Sequence, residues 1–92
     1  MFYVYILRCN NNAYYTGHTD DLEKRLIQHQ SGNGSAYTAS HLPVRLVFNE
    51  LFESRDTAFL MEQQIKKWSR LKKEALINGN FKLISQFAKK KF

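Results

Sequence analysis

Phe2-Tyr3-Val4-Tyr5-Ile6-Leu7, followed after Asn10-Asn11-Asn12 by Ala13-Tyr14-Tyr15-Thr16-Gly17, carries the signature of a β-hairpin. The first run is aromatic and β-branched and apolar on both alternating faces, which suits a strand covered on both sides. The asparagines tolerate turn conformations, and strand-like alternation resumes from Ala13 to Gly17. Side chains alternate with period two, so Tyr5 and Tyr15 share a face only if odd residues oppose odd ones.

Downstream, Asp20 and Glu23 have capping-box spacing and Leu22, Leu26 and Ile27 form a stripe, predicting a helix over 20–31 that ends near Ser31-Gly32. Asp21, Arg25 and His29 then line one face, a turn apart. Residues 32–42 read as a loop before Pro43. Val44 to Phe52 reads as a third strand. Ser54 can cap a second long helix, in which Ala58, Met61, Ile65 and Trp68 recur at helical steps. Trp68 to Ile77 and Phe81 to Phe87 read as two further short helices, broken near Asn78-Gly79-Asn80. The expected architecture is α+β: a small three-stranded antiparallel sheet flanked by helices, with residues 1–80 as one domain and the basic segment 81–92 packed on it or trailing it.

With 92 residues, one core is the prior, and a deep cofactor cavity has little room. The longest apolar run is Met1 to Leu7, far short of the about 20 residues of a membrane span. The N-terminus lacks the basic lead and cleavage pattern of a signal peptide, so a cytoplasmic location and no membrane partner are expected. Cys9 alone forms no internal disulfide and reads as a buried strand residue. The formal charge of +6 is unevenly spread: residues 1–65 carry net −2, and residues 66–92 carry net +8. Lys66, Lys67, Arg70, Lys72 and Lys73 head that cationic region, which suits a polyanion and makes nucleic acid the expected partner.

No P-loop, dinucleotide fingerprint or hydrolase elbow is present, which leaves Tyr5, Tyr15, Arg25, His29 and Glu62 as the chemistry-bearing set. Helical phase puts Glu62 inside the apolar arc of its helix, where a carboxylate needs a cation, a donor or a metal, and Arg25 is one candidate partner. An acid that holds a divalent cation, an arginine that clamps a phosphate and phenol and imidazole groups that move a proton suit phosphodiester cleavage.

The order Tyr3-Val4-Tyr5, Tyr15-Thr16-Gly17, Arg25, His29 and Glu62 resembles the GIY-YIG nuclease superfamily, and more narrowly its small stand-alone members. The resemblance runs from Phe2 to about Ile77 and includes Ala36-Tyr37-Thr38 and Ile65-Lys66-Lys67-Trp68-Ser69-Arg70. It implies that Tyr5 and Tyr15 are the motif tyrosines, Gly17 the motif glycine, Arg25 the phosphate-stabilising arginine and Glu62 the ligand of one Mg²⁺ or Mn²⁺. His29 matches a position held by histidine or tyrosine. Tyr3 stands where the motif name has glycine, and His18 stands where some relatives have a lysine that helps activate a tyrosine. Asn78 and Asn80 both remain open for a late family asparagine. The implied activity is a metal-dependent endonuclease acting on DNA, selecting structure rather than sequence or relying on a protein partner for specificity. In the implied mechanism Tyr5, helped by His18 or His29, deprotonates water while Tyr15 orients the group. A nucleic-acid binding module without cleavage is the alternative.

Overall fold

The computed structural model describes residues 1–80, and the expected helix over 81–87 lies outside them. β1 (Phe2–Arg8), β2 (Tyr14–Thr19) and β3 (Arg45–Phe52) form one antiparallel sheet in the order β2-β1-β3. The strand that is apolar on both faces takes the centre, where both faces can be covered; Val4 to Leu7 are fully buried. The polar β2 takes an edge. Tyr5 lies opposite Gly17 and Leu7 opposite Tyr15, so odd residues do oppose odd ones and the two tyrosines share a face.

That face is covered by α1 (Leu22–Gln30), whose Leu22 and Leu26 pack with Tyr15, Leu42 and Leu46 on buried Tyr5, Leu7, Cys9 and Val44. The opposite face packs Val4, Ile6 and Phe48 against Ala58, Met61 and Ile65, and Leu76 closes the same cluster. These last four come from α3 (Arg55–Lys66) and α4 (Arg70–Ile77). Ser54 caps α3 by accepting from the Thr57 amide at 3.1 Å, as expected. Ser69 caps α4 in the same way, accepting from Lys72 at 3.2 Å, so α4 starts two residues later than the pattern suggested.

Three further expectations are corrected. The segment 32–42 is not all loop: Ser35 caps a short helix, α2 (Ala36–Ala39), too brief to show periodicity. The N-cap of α1 is Asp21, which accepts from the Lys24 amide at 3.0 Å, rather than Asp20 paired with Glu23. Thr19 Oγ1 takes the Asp21 amide at 3.1 Å and so places the helix start one residue on. Ile27, counted in the apolar stripe, is 63% exposed, because only Leu22 and Leu26 of that stripe reach the sheet.

Candidate active site

Alternation along β2 divides the site between the two faces of its edge. Tyr15 and Gly17 point with Tyr5 towards α1, whereas Tyr14 and His18 point towards α4 and α3. On the α1 face, Tyr5 is fully buried and its phenol oxygen lies 2.9 Å from His29 Nε2. His29 comes from the last turn of α1 and is itself fully buried. Its ring meets Tyr5 edge-on at 5.8 Å and Tyr15 at 5.3 Å between centroids. A Cβ on Gly17 would fall 2.5 Å from the Tyr5 hydroxyl, so the glycine is what lets β2 pass over the phenol.

Burial pushes the Tyr5 phenol up to about 12; Tyr15 and Glu62 add to the rise, and the Arg25 guanidinium opposes it. Burial also holds His29 below the ordinary imidazole value, and the positive charge of Arg25 acts in the same direction. Arg25, half-buried one turn before His29, therefore faces both groups electrostatically. At neutral pH the phenol holds its proton and the imidazole is uncharged.

On the other face Glu62 is 7% exposed, inside the apolar arc as its helical phase required. Its partners are not Arg25: His18 Nδ1 donates to Oε1 at 2.8 Å, and Gln63 and Lys66 donate to Oε2 at 2.8 and 3.1 Å. Strand register, invisible in a linear pattern, brings His18 opposite α3. His18 is accordingly engaged with the carboxylate and not with Tyr5, and its ring meets Phe59 edge-on at 5.9 Å. Glu62 is still close enough for its charge to act on the Tyr5 phenol, so both sides of the β2 edge belong to one electrostatic neighbourhood.

Among the described residues no group of three His, Cys, Asp or Glu side chains could hold a metal ion. A zinc centre, which needs four such ligands when structural or three and a water when catalytic, does not fit. One carboxylate does fit Mg²⁺ or Mn²⁺, hard ions that keep several waters and share one or two carboxylates with substrate phosphates.

The basic set is partly committed within the fold. Lys66 holds Glu62, Arg70 bonds Glu74 at 3.2 Å and covers the Tyr14 ring, and Lys72 lies 4.5 Å from the Trp68 ring. Lys67 is exposed and Lys73 half-buried on the same stretch. Asn78 closes α4 and lines a shallow groove with Arg8, Tyr14 and Glu74. No helix among the described residues is long and apolar enough to cross a membrane.

Sequence reading missed what lies behind His29. Its Nδ1 is 2.8 Å from Thr38 Oγ1, which is 2.8 Å from Ser35 Oγ. Ser35 is a residue type that caps helices, but four helical residues gave nothing periodic to follow it.

Residues 1–75 match the GIY-YIG catalytic domain. The chain is 43% identical over 76 residues to a UPF0213 protein of Staphylococcus saprophyticus, covering 83% of this chain and 93% of that one. A UPF0213 protein of Halobacterium salinarum is 42% identical, covering 83% of this chain and 99% of its own length. The solution NMR structure of the UPF0213 protein from Bacillus halodurans superposes with a TM-score of 0.56 at 41% identity, covering 88% of this chain and 90% of the other. The three-stranded antiparallel sheet, the match over residues 1–75 and the likeness to these relatives agree: the chain belongs to the GIY-YIG catalytic domain family.

Proposed function

We propose that this protein is a divalent-metal-dependent endonuclease that hydrolyses phosphodiester bonds in DNA and selects its substrate by shape rather than by sequence. The observation that carries this reading is the 2.9 Å contact between Tyr5 and His29 beside Arg25. A phenol whose ordinary value is near 10, raised here to about 12, is protonated at neutral pH and is a base only if its own proton has somewhere to go. His29 Nε2 supplies that place. As water gives a proton to the Tyr5 oxygen, the phenol proton passes to Nε2, leaving hydroxide to attack phosphorus and a cationic imidazole behind.

Arg25 would bind the scissile phosphate and offset the negative charge that develops on it. Bound phosphate would also offset the repulsion between Arg25 and the imidazolium. Tyr15, ring to ring with His29, orients the Tyr5 and His29 pair. Glu62 would hold the metal ion, held in place by His18; the ion supplies Lewis-acid stabilisation of the phosphate and the leaving oxygen. Glu62 is the one carboxylate of that cluster among the described residues and would leave the rest of the ion's coordination to water and phosphate oxygens, so metal and nucleic acid should each tighten binding of the other. Lys67 and Lys73, with Lys66, Arg70 and Lys72 beside them, form the cationic surface expected to track the backbone.

The test is cleavage of labelled single-stranded, duplex, flap and branched DNAs, with matched RNAs, in Mg²⁺ and Mn²⁺. The expected result is metal-dependent cutting that favours one DNA shape over many sequences. Cleavage at one fixed sequence contradicts the selectivity proposed. No cutting of any substrate, with salt-sensitive binding kept, contradicts the endonuclease reading and favours a binding module; a binder of about five phosphates has a log–log salt slope near −4 to −5.

A further inference from the structure

We propose that Thr38, backed by Ser35, is a positioning residue that fixes the tautomer of His29 and so makes Nε2 the acceptor for the Tyr5 proton. The proposal rests on the cleavage reading above for its catalytic consequence, but not for its structural content. A neutral imidazole has one donor and one acceptor nitrogen, and which is which sets the direction of every hydrogen bond along the chain Tyr5–His29–Thr38–Ser35.

Both His29 nitrogens are occupied: Nε2 by the Tyr5 hydroxyl at 2.9 Å and Nδ1 by Thr38 Oγ1 at 2.8 Å. His29 and Thr38 are both fully buried, so bulk water does not compete for these positions. The Thr38 hydroxyl has an outlet on its far side, Ser35 Oγ at 2.8 Å and the Ser35 carbonyl at 3.4 Å. A carbonyl only accepts. It draws the Thr38 proton away from the ring and leaves a lone pair on Oγ1 for an Nδ1–H donor. Nε2 is then bare, facing the phenol. The Ser35 hydroxyl also accepts from the Thr38 amide at 3.1 Å, which ties the pair to the first turn of α2. Gly34 makes the arrangement possible, since a Cβ there would collide with His29 Nδ1 and Cγ. The run Gly34-Ser35-Ala36-Tyr37-Thr38 thus wraps the side of the imidazole remote from Tyr5. Capping of α2 does not require this, because Ser35 alone supplies the cap.

The experiment is ¹⁵N NMR of the histidine rings in the metal-free, DNA-free protein, alongside cleavage kinetics, for wild type, Thr38→Val and Thr38→Ser. Wild type should show His29 in the Nδ1–H tautomer. Thr38→Val keeps the branched shape but removes the acceptor; His29 should move towards the Nε2–H tautomer, with kcat falling roughly 10- to 100-fold and KM unchanged. Thr38→Ser should restore both. An Nε2–H tautomer in wild type overturns the proposal, as does a folded Thr38→Val that keeps the Nδ1–H tautomer. If Thr38→Val does not fold, the wild-type tautomer and the serine variant decide. A wild type with the Nδ1–H tautomer that cuts no nucleic acid supports the positioning and defeats the cleavage reading instead.

Discussion

The phenol of Tyr5 is positioned by something absent: a side chain at residue 17. An added methyl at Gly17 would meet Tyr5 Oη at 2.5 Å and Cζ at 2.6 Å, so either the ring or the edge strand must move. Gly17→Ala should cost about 1 to 3 kcal/mol by overpacking and shift Tyr5 off His29, with cleavage falling accordingly. Denaturant unfolding should show most of that cost disappearing in a Tyr5→Ala background, the non-additivity expected of contacting residues. His29 gives a second prediction. Its folded value is depressed by burial and by Arg25, so on acidification the unfolded chain takes up a proton before the folded one does. The stability held by the neutral ring is therefore fully present above the ordinary value of about 6.5 and is lost as pH falls towards the folded midpoint. Unfolding free energies measured across that window should fall more steeply with acid in wild type than in His29→Asn.

At the scale of elements, what was legible depended on length and on whether the signal was local. β1 declared itself by being apolar on both faces and β3 by its run of strand formers, and Ser54 announced α3 before an apolar stripe that included the buried Glu62. α2 went unread because four residues cannot display a period of 3.6. The cap of α1 was off by one because Asp20 and Asp21 are chemically equivalent choices and only the Thr19 hydroxyl selects between them. The partner of Glu62 was illegible for another reason. It depends on which β2 residue α3 lies over, a tertiary fact that brings in His18 in place of Arg25. Ser54 is exposed and its hydroxyl bonds only Thr57 among the described residues, so its cap can be tested without removing a contact of Tyr5, His29 or Glu62. Ser54→Ala should lower stability by about 1 kcal/mol in thermal or chemical melts and leave cleavage by the folded protein unchanged.

Across the whole molecule, the sheet edge is where the candidate residues gather. β2 is short, polar and, among the described residues, unpaired on its outer side, so groups on opposite faces of the sheet can meet around it: Tyr5, Tyr15, Arg25 and His29 from the α1 side and Glu62 with His18 from the α3 side. The candidate residues came from their order and spacing in the chain; that His18 joins Glu62, and that the two groups flank one strand, came from register. The account's central claim is that these halves act as one phosphodiester-cleaving centre. Its most direct measurement is single-turnover DNA cleavage at saturating metal by wild type, Tyr5→Phe, Glu62→Gln and the double variant. The account predicts that each single change lowers the rate by roughly 10²- to 10⁴-fold and that the double variant is little worse than either. Wild-type cleavage by Glu62→Gln, or losses that simply multiply in the double variant, would contradict it.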